Sequence, residues 1–306
     1  RPDTYNLFFE KPAPLVSANL SFAVKERMTA QGKVYTPLLE AEIQRIVKVI
    51  KAANVEAIAV CFMHSYANAA HEKLMGKALR KAFPQLFITL SHEILREYRE
   101  FERTSTTVLN AYVGLQVTTY LKALEGQLKQ KKFTGRFMIM QSNGGVMTSE
   151  RAAKVPVAMM ESGPVAGMIG AGRLATHLGL EQCIGFDMGG TSTDVALIEN
   201  LEPRRVRTTE VGHLSVRASS LDVKTVGAGG GSIAYVPELT KALRVGPQSA
   251  GAVPGPAAYG RGGELPTVTD ANVVLGYLPE NLLGGTFKLD REAAQRSVQT
   301  VADALG

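Results

Sequence analysis

Apolar residues in this chain fall either in short continuous runs or in stripes at helical spacing, and their alternation predicts a layered α/β protein. Residues 1–36 read as irregular, broken by Pro2, Pro12 and Pro14, with Leu20–Val24 as a candidate strand. Ile43, Ile46, Val47 and Ile50 stand at i, i+3, i+4 and i+7, which predicts a helix over Leu39–Ala53 with one buried stripe. Val55–Phe62 is an apolar run of strand length, of the kind buried on both faces of a sheet. A helix over Asn68–Ala82, N-capped by Asn68, and a strand at Leu86–Leu90 complete a βαβ unit. The longest predicted helix runs from about Phe101 to Lys132, with Leu109, Tyr112, Val113, Tyr120, Leu121, Leu124 and Leu128 in helical register.

Further on, Arg136–Met140 is a strand, and Glu161-Ser162-Gly163-Pro164 opens a helix reaching Leu178. Its small residues Ala166, Gly167, Gly170 and Ala171 predict close packing by another backbone. Strands at Ile184–Phe186 and Val195–Ile198 flank a glycine turn, and Arg204–Val211 reads as a third strand. Leu221–Val226 leads into a glycine run, followed by a strand at Ile233–Val236 and a long Pro/Gly loop over Gly246–Thr269. In that loop Tyr259 and Arg261 are the groups able to touch a ligand. A helix over Thr267–Leu278, capped near Thr269 or Asp270, and an amphipathic helix over Arg291–Leu305 close the chain.

Composition narrows the class. At 306 residues the chain has room for two domains. Its net charge of +6 is dispersed apart from clusters at Lys129–Lys132 and Arg204–Arg207. These read as solvated faces, and no basic stripe is interleaved with aromatics, so no nucleic-acid partner is expected. Cys61 and Cys183 sit in apolar runs without a CxxC, which predicts reduced, buried thiols and a cytoplasmic location. The Asn19-Leu20-Ser21 sequon then carries no meaning. No apolar run reaches the roughly 18 residues of a membrane span, and the start carries no signal-peptide pattern. Beginning at Arg1 without Met and ending at Gly306 just after a helix, the sequence reads as a fragment of something longer.

The chemistry concentrates in Cys183–Glu199, CIGFDMGGTSTDVALIE. Gly189 and Gly190 let the backbone approach a ligand, and successive N–H groups in such a turn favour an anion. Thr191, Ser192 and Thr193 add hydroxyl donors, and Asp187 at the strand end and Asp194 can hold Mg²⁺ directly or through water. An ordinary hairpin turn explains the paired glycines but not so many polar side chains in so short a bend. Gly229, Gly230, Gly231 and Ser232 form a second glycine-rich segment without the G-x-G-x-x-G spacing of a dinucleotide fold.

Two further stretches admit two readings each. Glu102-Arg103-Thr104-Ser105 is either a helix cap with its first turn or a place where Arg103 or Ser105 faces a ligand. Ser142-Asn143-Gly144-Gly145 is either an Asn-Gly turn or a ligand-carrying loop at a strand end. No P-loop, zincin or nucleophile-elbow motif occurs, and His64, His71, His92, His177 and His213 are too scattered to read as metal ligands.

Asp187–Asp194 resembles the phosphate hairpin of the actin/Hsp70/sugar-kinase superfamily. ERTSTTVLNAYV (102–113), SNGG (142–145), ESGPVAG (161–167), DMGGTSTDVALI (187–198), TVGAGGGSIAYV (225–236), VGPQSAGAVPGPAAYGRGG (245–263) and PTVTDANVVLG (266–276) are together similar to the hydantoinase A / 5-oxoprolinase family. That resemblance implies incomplete actin-like ATPase (ribonuclease H-like) lobes joined by a long helix. Residues 1–100 would be the remainder of an N-terminal α/β domain, and residues 101–306 the domain with the ATPase lobe.

The implied activity is ATP-dependent hydrolysis of a cyclic amide such as a hydantoin, 5-oxoproline or another lactam. Phosphorylation of the carbonyl oxygen would turn a poor electrophile into one that water can attack. A ketone carboxylase subunit and a small-molecule kinase of the same superfamily are the alternatives. Within that reading Asp187 orients Mg²⁺ and Asp194 supports the metal, both counted as catalytic. Gly189, Gly190, Thr191, Ser192 and Thr193 hold ATP, and Gly229, Gly230, Gly231 and Ser232 meet the nucleotide from across a cleft. Arg103, Asn143, Gly144, Ser162 and Asp270 are the expected substrate contacts. A hydantoinase-B-like subunit is the expected partner, and homo-oligomerisation is compatible with the family. The family's other Asp-x-Gly-Gly-Thr hairpin is missing from these residues, so weak ATP binding and no turnover are expected of them alone. Ala258 stands where the family commonly carries Cys, which removes any thiol role there.

Overall fold

The structure, a computed structural model, describes residues 5–10, 12–212 and 214–306; Pro2 and His213 lie outside them. Its contacts divide the chain into two compact units, Arg1–Val165 with Arg205–Leu221, and Ala166–Arg204 with Asp222–Gly306.

The first unit opens with short strands β1 (Arg27–Met28) and β2 (Val34–Thr36), which pair antiparallel. The expected strand at Leu20–Val24 is absent: Ala18–Leu20 is a 3₁₀ turn. The backbone that follows is held by helix α1 (Glu40–Ala53) instead, with Lys25 N–H donating to Glu42 and Arg45 donating to the Ala23 carbonyl. Glu40 and Glu42 suit the positive end of α1, and Asn54 ends it in a left-handed conformation. Strand β3 (Ala57–Val60), helix α2 (Ala70–Ala82) and strand β4 (Phe87–Leu90) form the βαβ unit, with β3 and β4 parallel. Asn68 is one residue short of the N-cap, Ala69, yet its side chain accepts the Ala70 N–H. Ile43, Ile46, Ile50, Val60, Met75, Leu79 and Leu90 make the core of this layer.

A single turn α3 (Ser91–Ile94) leads to the long helix α4 (Glu100–Gln130). Its N-terminus carries no side-chain cap, so the hydroxyl-rich run is interior to the helix; Thr106 and Thr107 donate to carbonyls one turn back. Leu109 and Leu121 are buried, whereas Tyr112 and Tyr120 are exposed. Buried Asn110 ties the layers together through Thr89, the Lys154 carbonyl and the Val157 N–H. Strands β5 (Met138–Met140) and β6 (Val146–Thr148) form a hairpin, and helix α5 (Ser149–Lys154) follows, capped by Thr148.

Helix α6 (Ser162–Leu178) leads into the second unit, whose sheet is built on β7 (Gln182–Met188) and β8 (Thr193–Glu199). Here the structure departs from the expected three-stranded run. Only β9 (Glu202–Pro203) pairs with β8 before the chain leaves. Residues 205–221 instead belong to the first unit, where β10 (Arg205–Val206) pairs with β13 (Ser220–Leu221) and β11 (Thr209–Val211) with β12 (Leu214–Val216). Val216 is buried there with Leu109, Val155 and Val157.

Strand β14 (Lys224–Val226) then returns to pair with β8, giving the order β14-β8-β7. Strands β15 (Ser232–Tyr235) and β16 (Arg244–Ser249) are antiparallel, so Gly246–Ser249 is strand rather than loop. Helix α7 (Val268–Val274) ends sooner than expected, just ahead of Gly276 at φ +77°, and its N-cap is Thr267. A short hairpin of β17 (Asn281–Leu282) and β18 (Phe287–Lys288) precedes α8 (Arg291–Leu305), which has the expected bounds. Ala258, Val273, Leu289 and Ala294 form the core beneath α7 and α8.

Candidate functional site

The β7–β8 hairpin turns through Gly189–Ser192, closed by Gly189 N–H donating to the Ser192 carbonyl at 2.8 Å. The glycine-rich segment 227–231 docks directly onto this bend. Gly230 N–H donates to the Gly189 carbonyl (2.9 Å) and Gly231 N–H to the Gly190 carbonyl (2.6 Å). Thr193 is buried and its hydroxyl donates to the Ala228 carbonyl at 2.5 Å. The supporting segment is itself fixed: Ser232 Oγ accepts the Gly229 N–H, and Thr269 N–H at the start of α7 donates to the Gly230 carbonyl at 2.7 Å.

The consequence is directional. The Gly189 and Gly190 carbonyls point into the supporting loop and are satisfied there, and the Ser192 carbonyl accepts within the turn. The N–H groups of Gly190, Thr191 and Ser192 have no acceptor among the described residues, nor do the Thr191 and Ser192 hydroxyls. Gly190 and Thr191 are exposed and Ser192 half-buried. Three consecutive unpartnered amide donors are an arrangement that favours an anion.

Beside it, Asp187 on β7 stands directly opposite Asp194 on β8, so both carboxylates project from one face of the sheet. Asp194 accepts a hydrogen bond from the Thr225 hydroxyl at 2.6 Å. Asp187 is exposed and has no hydrogen-bond partner among the described residues; Gly167 of α6 lies beside its Oδ2 and sets no side chain against it.

Several expected contacts take other roles. Gly229, Gly230, Gly231 and Ser232 do not face the turn across a cleft; they are its foundation, and their N–H groups are spent on it or on each other. Thr193 likewise clasps Ala228 rather than presenting a free hydroxyl. Asp270 is wholly buried and accepts from Ala257 N–H, Ala258 N–H, Thr267 N–H and the Thr267 hydroxyl, so it caps α7 and orients the 257–259 turn, with nothing left for a substrate. Tyr259 packs edge-on to Phe287, and Arg261 lies over both rings.

In the first unit, Arg103 is 1% exposed; its guanidinium donates to the Phe62 and Glu97 carbonyls, pairs with Glu100 and lies over Tyr66. That is a brace for the chain leaving β3, not a group facing solvent. Asn143 accepts the Gly145 N–H and Gly144 has φ +84°, the geometry of an Asn-Gly turn at the tip of the β5–β6 hairpin. Ser142 is buried and donates to the Ala158 and Met160 carbonyls. Ser162 is half-buried at the first turn of α6.

Thr225 is not singled out by the sequence, and Thr269 and Asp270 read there as a helix cap, with Asp270 also a substrate contact, rather than as support for the turn. Thr225 reaches Asp194 only because β14 pairs with β8 after the 205–221 excursion. Cys61 and Cys183 are free and half-buried rather than buried. His71 bonds Glu26 and the Leu38 N–H, while His92 bonds Glu72. Among the described residues no three His, Cys, Asp or Glu side chains gather as for a metal ion, and no helix is long and apolar enough to cross a membrane.

Comparison with known proteins places this geometry. The hydantoinase/oxoprolinase family model matches residues 103–306, and the model of the hydantoinase/oxoprolinase N-terminal region matches residues 1–83. An uncharacterized protein of Methanocaldococcus jannaschii is 43% identical over 100% of this chain and 47% of its own length. The caprolactamase subunit alpha of Pseudomonas jessenii is 35% identical over 99% of this chain and 44% of its own. For the acetophenone carboxylase gamma subunit of Aromatoleum aromaticum the figures are 35%, 97% and 41%. Among solved structures, the ATP-dependent caprolactamase from Pseudomonas jessenii superposes with a TM-score of 0.75 at 34% identity, covering 99% of this chain and 44% of that one. Nucleotide-free acetone carboxylase gives 0.78 at 31% identity, covering 97% and 42%. The chain spans less than half the length of these relatives. It belongs to the hydantoinase/oxoprolinase family, as its motifs led us to expect.

Proposed function

We propose that this chain is the phosphate-gripping part of an ATP-dependent enzyme acting on a cyclic amide, within a longer polypeptide that works with a hydantoinase-B-like partner. The observation that carries the reading is the triple of unpartnered amide donors at Gly190, Thr191 and Ser192, in a bend whose Gly189 and Gly190 carbonyls are secured by Gly230 and Gly231. A polyphosphate tail fits that cradle, because each oxygen accepts an N–H that has no other partner. The Thr191 and Ser192 hydroxyls add donors at the same place. The rest of the family reading belongs with this proposal: actin-like ATPase lobes, the division into residues 1–100 and 101–306, and a cytoplasmic location. So do Asn143, Gly144 and Ser162 as substrate contacts.

The carboxylate pair fits Mg²⁺. Two like charges directly opposite on antiparallel strands cost about 0.2–1 kcal/mol, and a divalent cation held by Asp187, with Asp194 behind it, removes that repulsion. Thr225 holds Asp194 in place for this. Bound ATP supplies a phosphoryl group that makes an amide carbonyl attackable by water. The chain's own residues supply orientation: the turn's amides and hydroxyls would hold the phosphates, and Asp187 would hold a Mg²⁺ ion, which would supply the charge neutralisation.

Relatives named as a caprolactamase subunit and a 5-oxoprolinase support amide hydrolysis, and those named as carboxylase subunits support ketone carboxylation as the second reading. The test is ATP consumption by the full-length protein with its partner, challenged with lactams, hydantoins and small ketones. Ring opening with phosphate release supports hydrolysis, and carbon dioxide fixation into a ketone supports the second reading. A stable phosphorylated product would indicate a kinase, and the absence of nucleotide turnover with any of them would overturn the proposal.

A further inference from the structure

Each free amide of the phosphate turn belongs to a peptide unit whose other end is a carbonyl. A planar trans peptide joins the C=O of one residue to the N–H of the next through a single delocalised system. A hydrogen bond accepted by that oxygen therefore polarises the N–H and strengthens it as a donor. Followed from peptide to peptide, the bonds behind the turn form two chains, both inside the second unit. The shorter begins at α7. Thr269 N–H donates to the Gly230 carbonyl at 2.7 Å, and the N–H of that same peptide, on Gly231, donates to the Gly190 carbonyl at 2.6 Å. The N–H of the Gly190 peptide is the unpartnered donor on Thr191.

The longer chain begins at Ala250, whose N–H donates to the Gly231 carbonyl at 2.8 Å. Ser232 N–H then donates to the Gly229 carbonyl (3.0 Å) and Gly230 N–H to the Gly189 carbonyl (2.9 Å), which ends on the unpartnered Gly190 N–H. Every bond in both chains donates toward the turn. Ser192 N–H stands apart: the carbonyl of its peptide, on Thr191, accepts nothing among the described residues. Stacking peptides this closely leaves no room for side chains. A Cβ on Gly231 would lie 2.9 Å from the Gly190 carbonyl oxygen, and one on Gly230 would lie 2.8 Å from the Thr269 hydroxyl. Thr269 is itself buried and held in place by the Thr267–Asp270 capping box around it.

We infer that Thr269 is a positioning residue for polyphosphate binding: its amide, relayed through the Gly230–Gly231 peptide, orients and polarises the Thr191 N–H and makes it a stronger anion donor than the unrelayed Ser192 N–H. The inference rests on the reading of the Gly189–Ser192 bend as a phosphate site. Thr269 acts through two intervening peptides and not by contact with the ligand. Its side chain is not the acting group, so the test must remove the backbone N–H. The adjacent residue supplies a matched control, because Val268 N–H has no acceptor among the described residues. Val268 is the first residue of α7, where proline is favoured. Thr267 before it is extended (φ −121°, ψ 167°), as a residue preceding proline should be.

The experiment measures binding of inorganic triphosphate to the full-length protein by calorimetry, together with the amide proton resonances of Gly190 and Thr191 in selectively labelled samples. Thr269→Pro is compared with Val268→Pro. A further variant carries the α-hydroxy analogue of threonine at position 269, which turns that one amide into an ester and keeps the side chain. Loss of the Thr269 N–H should weaken triphosphate binding by about threefold or more, while Val268→Pro should stay within about twofold of the wild type. In the ester variant the Thr191 resonance should move upfield and the Gly190 resonance should stay, a selectivity that a general loosening of the unit does not produce. Unchanged affinity and an unchanged Thr191 resonance in the ester variant would overturn the inference, as would equal losses in the two proline variants or equal movement of both resonances. Should Thr269→Pro fail to fold, the ester variant decides alone. Wild-type protein that binds no triphosphate would instead overturn the phosphate-site reading itself, and this inference with it.

Discussion

Gly229 lies so close to Gly189 that a Cβ on the former would stand 2.7 Å from the carbonyl oxygen of the latter and 2.7 Å from the Thr191 carbonyl carbon. Both obstacles are backbone, and neither can rotate away. Gly229→Ala therefore forces the supporting loop off the turn, at a cost of about 1–3 kcal/mol, and disperses the three amide donors. Thermal unfolding and nucleotide binding should both suffer. Gly190→Ala is the contrasting case, because its Cβ would meet nothing within 4 Å. That variant should unfold within about 0.5 kcal/mol of the wild type yet bind nucleotide more weakly, the methyl group standing where phosphate is received. Equal unfolding behaviour of the two variants would refute the docking geometry.

Asp187→Asn separates metal binding from folding. Without Mg²⁺ the substitution removes a repulsion across the ladder and should leave stability unchanged or raised by up to about 1 kcal/mol. With Mg²⁺, nucleotide affinity measured by calorimetry should fall at least tenfold in the full-length protein. A variant that loses stability and keeps its metal-dependent affinity would show that Asp187 is structural.

Asp270→Ala should behave in the opposite way. Its carboxylate accepts from four donors inside the second unit, and deleting it strands them. The expected loss is about 2–4 kcal/mol in chemical denaturation. A loss below about 0.5 kcal/mol would contradict the buried geometry.

Glu72 gives the first unit an acid-labile brace. Burial pushes its carboxyl up, but hydrogen bonds from His92, Ser91 and the Phe62 and His92 N–H groups outweigh burial and hold it below the ordinary carboxyl value of 4.5. A carboxyl lowered in the folded state contributes stability that is present above pH 4.5 and is lost as pH falls through its folded value. Denaturant midpoints of the wild type should therefore fall more steeply on acidification below pH 4.5 than those of Glu72→Gln. Parallel profiles would remove Glu72 from this role.

Cys61 sits nearby, and burial, with the Glu72 charge added, pushes its thiol up to about 12. At pH 8 roughly one molecule in ten thousand carries the thiolate, so iodoacetamide should leave Cys61 unmodified in the native protein. Rapid native alkylation at that position would show that the thiol is not held in this protonated state.

Local patterns in the sequence were reliable wherever the physics was local. The Ile43–Ile46–Ile50 stripe, the parallel pair bracketing α2, and Arg291–Leu305 follow from periodicity alone. So does the bend at Gly189–Ser192, whose glycines and hydroxyls are adjacent in the chain. What remained illegible depended on pairing between distant segments. Nothing within Gly229–Ser232 shows that its amides are taken by Gly189 and Gly190, because glycine is equally suited to approach a nucleotide or another backbone. Arg103 and Asp270 have the residue types of ligand contacts; only their burial reveals that they bind their own chain. Arg204–Val211 has strand character throughout, yet it joins no strand of the β14-β8-β7 sheet: β10 and β11 pair with β13 and β12 inside the first unit.

That last excursion limits how the molecule can be taken apart. The chain leaves the second unit after Arg204 and re-enters at Asp222, where Asp222 N–H bonds the Arg204 carbonyl at 2.7 Å, so departure and return share one gatepost. Counting the α6 crossing, three covalent threads run between the two halves. A protease cutting any single thread leaves the other two intact, and no one scissor point releases either half as a continuous piece. The phosphate turn is thus held in a half whose chain is interrupted by the 205–221 detour, and the Arg204–Asp222 bond closes that interruption.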